Sequence, residues 1–206
     1  MIDRPTSADE PGAVIGAAFT EHAQVLQASA QALAGPVAAA ARLLVDCYRG
    51  GGKAILFGNG GSMTDALHVE GELLGRFAFD RPGVAAVALG GLSALTAIAN
   101  DYGYEDVFAR MLAAQARPGD VAVGFSTSGN SENVVRALRR AGELKLPRIA
   151  LTGAGGGRCA ELAEVTIAVP SRNTPRVQEL HILAAHTLCD LVERALFQRP
   201  AGAARA

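Results

Sequence analysis
A chain of 206 residues that is 50% hydrophobic and only 19% charged is long enough for one domain with a sizeable core and too apolar to stay disordered. Its 19 basic and 20 acidic side chains leave a formal net charge of −1 with no basic stripe, which argues against a nucleic-acid-binding protein and for no nucleic-acid partner. The N-terminus MIDRPTSADEPG has no apolar signal-type core and no run of 18 apolar residues follows, so the expected location is cytoplasmic, with no membrane partner.

In chain order, a polar and loose start precedes an Ala-rich helical pattern from Ala13 to Leu33, and Gly35-Pro36 is expected to separate it from a second helix, Val37 to Tyr48. Gly50-Gly51-Gly52 ends that pair. An apolar strand, Ala54 to Phe57, then breaks into Gly58-Asn59-Gly60-Gly61-Ser62 and a helical pattern. Four more apolar runs follow, Val84 to Leu89, Val121 to Phe125, Arg148 to Leu151 and Val165 to Val169, alternating with helical stretches. Near-continuously apolar strands between helices predict an α/β fold, a three-layer sandwich on a five-stranded parallel sheet, with N-terminal helices added. The last helix is expected from Thr174 to Phe197, with Pro175 in its first turn. The expected organisation is a helical extension over 1–52, the α/β unit over 53–198 and a frayed tail over 199–206. The cysteines Cys47, Cys159 and Cys189 lack metal-type spacing and read as small buried hydrophobes in a reducing compartment.

In an open parallel sheet, ligands bind beyond the carboxyl ends of the strands. The glycine turn after Phe57 lets a ligand approach backbone N–H groups at a helix start, or serves packing alone. His68 and Glu72, at i and i+4 on the next helix, share a face one turn apart and read either as an acid–base or metal pair or as a surface polar pair. The loop Ser126-Thr127-Ser128-Gly129-Asn130-Ser131 makes a neutral phosphate cradle at a helix start, or else Ser131 caps that helix and the other hydroxyls form turns. Gln178, His181 and His186 on the last helix read as ligands or as satisfied core residues, and Asn100-Asp101-Tyr102-Gly103 as an ordinary turn after a helix from Ser93 to Ala99.

Taken together, GNGGS, HVEGEL, LTAIANDYGYEDVFAR, RPGDV, STSGNS, LTG, VPS and RVQELH resemble, in order, the phosphoheptose isomerases of the sugar isomerase (SIS) domain family, from about Phe57 to Phe197. The resemblance implies an isomerase converting sedoheptulose 7-phosphate to D-glycero-D-manno-heptose 7-phosphate through an enediolate, in the first step of nucleotide-activated heptose biosynthesis. It implies sugar contacts at Asn59, Gly60, Gly61, Ser62, Asn100 and Asp101, and a phosphate loop of Ser126, Thr127, Ser128 and Ser131. It also implies Zn2+ on His68, Glu72, Gln178 and His186, with Glu72 and His186 as the acid–base pair and with Glu72 and Gln178 also facing substrate. A homotetramer with active sites near the subunit interfaces is the implied assembly. Gly90-Gly91-Leu92 departs from the polar turn many relatives carry there.

Gln178 and His186 are eight residues apart, ~12 Å along a straight helix, which raises the expectation of a metal site shared between subunits. Two alternatives remain at this point: an isomerase of another sugar phosphate, and a non-catalytic SIS protein similar to the DnaA initiator-associating protein. The second lacks the acid and the imidazole that this chain keeps at Glu72 and His186.

Overall fold
The computed structural model describes residues 10–198. Five strands, β1 (Ala54–Gly58), β2 (Ala86–Ala88), β3 (Val121–Ser126), β4 (Arg148–Thr152) and β5 (Val165–Ala168), form one all-parallel sheet in the order β2-β1-β3-β4-β5. Leu56 pairs with Ala88 on one side and Val123 on the other. The chain leaves β1 toward β2 and returns past it to β3, so the topological switch point lies between β1 and β3. The two specialised turns of the sequence, after Gly58 and after Ser126, therefore flank the crevice where such sheets bind ligands.

Alternation along β1 divides the core. Ala54 and Leu56 face one cluster with α2 (Ala34–Arg49), α3 (Gly61–Leu74) and α8 (Thr174–Leu196). Ile55 and Phe57 face the other, with α5 (Val107–Gln115), α6 (Glu132–Glu143) and Cys159 of the short α7 (Gly157–Leu162). Period-two alternation with both faces covered yields the three layers the apolar strands predicted. The two clusters include Cys47, Cys189 and Cys159, all buried, as small hydrophobes.

Two boundaries differ from expectation. The break between α1 (Pro11–Ala32) and α2 falls at Leu33 with a 63° bend, and Gly35-Pro36 lies inside the first turn of α2. A proline there loses no helical hydrogen bond, because first-turn N–H groups have no intrahelical acceptor. The helix expected over Ser93 to Ala99 runs on as α4 (Leu92–Tyr102) until Gly103, at φ 95°, ends it, so Asn100 and Asp101 occupy its last turn rather than a following loop. Among the described residues no single helix is long and apolar enough to cross a membrane. The loose start (1–9) and the tail (199–206) lie outside the described residues.

Candidate active site
The GNGGS turn is set by backbone need. Gly60, at φ 53°, is the N-cap residue that turns the chain into α3, a conformation that a side chain resists. Gly61 leaves room for Gln178, whose Nε2 would lie 2.5 Å from a Cβ there and would have to swing aside. The Gln178 amide is thus seated against the turn. Asn59 exchanges hydrogen bonds with Asn133 of α6, Nδ2 to Oδ1 at 2.8 Å in each direction, and its Oδ1 also accepts from Tyr104 Oη at 2.8 Å. One Asn59 N–H remains for a ligand. Ser62 is buried in the first turn of α3.

Across the switch point, Ser126 Oγ donates to Ser131 Oγ at 3.0 Å and lies 3.5 Å from Ser128 Oγ. Ser131 occupies the N-cap position of α6 but makes no capping hydrogen bond, so its hydroxyl joins the cluster instead of closing the helix. Three hydroxyls then converge beside free first-turn N–H groups, a set of donors suited to an anion. Glu132 opens α6, yet it bonds Arg158 and Arg136. Those guanidiniums, Arg158 first, hold its carboxyl below the ordinary range, and its charge is directed away from the cradle. Thr127 and Ser128 also line a hollow of about 400 Å3 with Asn130, Ser171 and Arg172. Arg172 lines that hollow, which takes in Thr127 and Ser128 but not Ser126 or Ser131.

The third element sits between α3 and α8. His186 Nε2 is 2.9 Å from His68 Nε2, which is 3.3 Å from Glu72 Oε1. Donor atoms of all three lie within 4.8 Å of one another. The helices align in matched rungs, Gly61 against Gln178 and His68 against His186. Phe77 packs on the His186 ring at 5.6 Å. All three residues belong to one chain, so this cluster requires no partner subunit; the expected sharing of the metal residues between subunits is unnecessary for these three. Two imidazole nitrogens and a carboxylate oxygen at such separations fit a divalent cation, whose tetrahedral N/O ligands ~2.0–2.2 Å from the ion are themselves roughly 3.3 Å apart. Asp65, one turn before His68, is pushed up to about 6 by burial, against the lowering charge of His68. Its Oδ2 has no partner among the described residues.

Asn100 and Asp101 bond each other, Nδ2 to Oδ1 at 2.8 Å, at the exposed end of α4, and Tyr104 links that segment to Asn59. Gly90 packs near Met63 while Gly91 opens to space, so the departing turn leaves the mouth without side-chain donors there.

His181 is a core residue. Wholly buried, it hydrogen-bonds through Nε2 to the Thr152 carbonyl at 3.0 Å. Burial drives its pKa down to about 4, partly opposed by that carbonyl. The unfolded chain, near 6.5, then binds a proton that the folded chain refuses between pH 6.5 and 4, and stability falls as pH drops through that window. His181 should account for up to ~3 kcal/mol of the loss between pH 7 and 4. Urea unfolding at several pH values should show a flatter profile for a folded His181→Asn variant; equal slopes would remove His181 as the cause.

A parallel α/β sheet with a hydroxyl loop and a carboxylate–imidazole cluster at its switch point is the architecture of a sugar-phosphate site, and the SIS domain profile matches residues 19–153. Among curated relatives, the phosphoheptose isomerase of Geotalea daltonii is 50% identical over 177 residues, 85% of this chain and 92% of that one. Among solved structures, phosphoheptose isomerase GmhA from Neisseria gonorrhoeae superposes with a TM-score of 0.83 at 42% identity, covering 87% of this chain and 97% of that one. The Francisella tularensis phosphoheptose isomerase gives 0.85 at 36% identity, covering 92% and 100%. The chain belongs to the phosphoheptose isomerases of the SIS domain family.

Proposed function
We propose that this chain is an intramolecular aldose–ketose isomerase that converts sedoheptulose 7-phosphate to D-glycero-D-manno-heptose 7-phosphate, the first step of nucleotide-activated heptose biosynthesis. The observation that carries the reading is the separation of two sites on one crevice. The cradle of Ser126, Thr127, Ser128 and Ser131 lies across the switch point from the α3 N-terminus, and the His68, Glu72 and His186 cluster lies further along that helix. Gly61 and His68 are ~10 Å apart along α3, which suits a sugar whose phosphate and reacting carbons occupy opposite ends of a seven-carbon chain.

With the phosphate in the cradle and hydroxyls on Asn59, Ser62, Gln178, Asn100 and Asp101, C1 and C2 reach Glu72 and His186. Glu72 takes the C1 proton, and the electron pair forms the C1–C2 double bond as the C2 carbonyl becomes an enediolate oxygen. His186 transfers a proton between the two oxygens. Return of a proton from Glu72 to C2 then leaves the aldehyde at C1. His68, Glu72 and His186 would hold the metal, read here as zinc; this chain's own Gln178 rests on the glycine turn, so a Gln178 donor would come from a neighbouring subunit. Bound zinc supplies polarisation of the sugar oxygens.

Exposed apolar side chains support self-association, read here as a homotetramer in the cytoplasm. Val14, Ile15 and Phe19 of α1 are 54%, 57% and 75% exposed within one short stretch of helix, a grouping of apolar surface that supports a contact with another chain. Leu67 and Leu183 are exposed beside His68 and near His186, which supports a reading with the active sites near subunit contacts.

Chelation should lower turnover and thermal stability together, because a ligand that binds only the folded form stabilises it by mass action, and zinc should restore both. Full activity in a protein shown to be metal-free would reject the zinc assignment while leaving the isomerase reading in place.

A further inference from the structure
On α8, Glu193 follows His186 by seven residues, two helical turns, and so faces the same way. It is 1% exposed. A buried carboxylate needs compensation, and the source of that compensation is informative. The chain leaving α3 folds back along α8, and the N–H groups of Phe77, Ala78 and Phe79 all donate to Glu193, at 2.9, 2.8 and 3.1 Å. Arg81 Nε adds a fourth hydrogen bond at 2.9 Å.

The same guanidinium closes the end of α3. Its Nη2 donates to the Glu72 carbonyl at 2.8 Å, and its Nη1 to the carbonyls of Leu73 at 2.7 Å and Gly75 at 3.0 Å. These are helix-end carbonyls that lack intrahelical partners. The side chains of Arg81 and Glu193 are 3% and 0% exposed. One buried ion pair therefore holds the backbone of Glu72, and through the 77–79 segment it holds the Phe77 ring against His186. Burial raises the Glu193 carboxyl, but the Phe77, Ala78 and Phe79 N–H groups and Arg81 outweigh it and keep the carboxyl below its ordinary range.

We propose that Glu193 and Arg81 are positioning residues for the isomerisation: they fix the distance between Glu72 and His186 without touching the sugar, and so set turnover rather than substrate affinity. This rests on the proposed function for its kinetic readout, and on the structure alone for its spectroscopic one. Support around a reacting cluster is worth ~10–100-fold in activity when removed.

The test compares Glu193→Gln, which keeps the size of its side chain, and Arg81→Lys, which keeps the charge but loses the guanidinium fork, with Asp120→Asn. Asp120 is an equally buried carboxylate at the amino ends of the strands, accepting from the N–H groups of Lys53 at 3.0 Å and Arg117 at 2.8 Å. It lies at the opposite end of the sheet from the sugar turns, so it reports loss of stability alone. Turnover of sedoheptulose 7-phosphate and the ring 15N–1H signals of His68 and His186 are recorded for the folded fraction of each variant. Glu193→Gln and Arg81→Lys should lose ~10–100-fold in kcat with KM within about threefold and should shift the His186 signals, whereas Asp120→Asn should lower Tm with kcat and signals unchanged. If the parent is inactive on this sugar, the proposed function fails, and the histidine signals still decide the positioning role. Parent-like kcat or unshifted His186 signals in either folded variant, or an equal kcat loss in Asp120→Asn, would overturn the proposal.

Discussion

Glu72→Gln and His186→Ala should each lose ~10²–10⁴-fold in turnover, the usual effect of removing a general acid or base, while keeping the fold and assembly of the parent. Both side chains are partly exposed between α3 and α8, and neither fills the core, so their replacement leaves packing intact. Gln preserves the shape of Glu72 but cannot accept a proton from carbon. Because Glu72 and His186 meet within one chain, inactive Glu72→Gln chains mixed with inactive His186→Ala chains should not regenerate activity after subunit exchange. Recovery toward a quarter or more of parental turnover would show that the working pair forms between subunits. Turnover within about tenfold of the parent in either correctly assembled variant would remove that residue from the chemistry.

Gly129→Ala should have the second largest effect, and it acts on the phosphate end. Gly129 has φ 67°, and a Cβ there would collide with the carbonyl oxygen of Gly156. Its own carbonyl accepts from Cys159 N at 2.9 Å, and Gly153 N donates to the Thr127 carbonyl at 3.0 Å. The loops after β3 and β4 are thus braced on each other at the residue where the phosphate cradle turns. A left-handed alanine plus forced separation of two backbones should destabilise by on the order of 2–4 kcal/mol. Spreading the hydroxyls should also raise KM for the phosphorylated sugar. Thermal unfolding and KM measured together check this; a variant with parental Tm and KM would show that the loops tolerate the side chain and that the brace does not shape the cradle.

The strand–turn–helix unit from Ala54 to Glu72 was legible because each signal is local: an apolar run, glycines that break it, and an i,i+4 pair on the next helix. The parallel sheet followed from strands apolar on both faces. Pairings across long stretches of chain were not legible. His186 meets His68 across 118 positions, and its spacing from Gln178 suggested a site shared between subunits because nothing in the sequence shows α8 lying alongside α3. Glu193 carries no sequence signal, since a glutamate on an amphipathic helix reads as a solvated face until the 77–79 segment folds over it. Asn133 and Arg172 carry no local signal for the same reason: the amide pair with Asn59 and the hollow beside Ser128 exist only once β1, β3, β4 and β5 are aligned in one sheet. The break falls at Leu33, two residues before Gly35-Pro36, because proline is compatible with a first helical turn as well as with a turn between helices.

The most direct measurement is incubation of the metal-supplied protein with sedoheptulose 7-phosphate in D2O, followed by NMR of the sugar. Proton abstraction at C1 and return at C2 by Glu72, whose side chain is 27% exposed, predict conversion to a heptose 7-phosphate aldose carrying deuterium at C2, and far slower conversion of sedoheptulose lacking the phosphate. A ketose phosphate left unchanged by folded, metal-supplied protein would contradict the assignment.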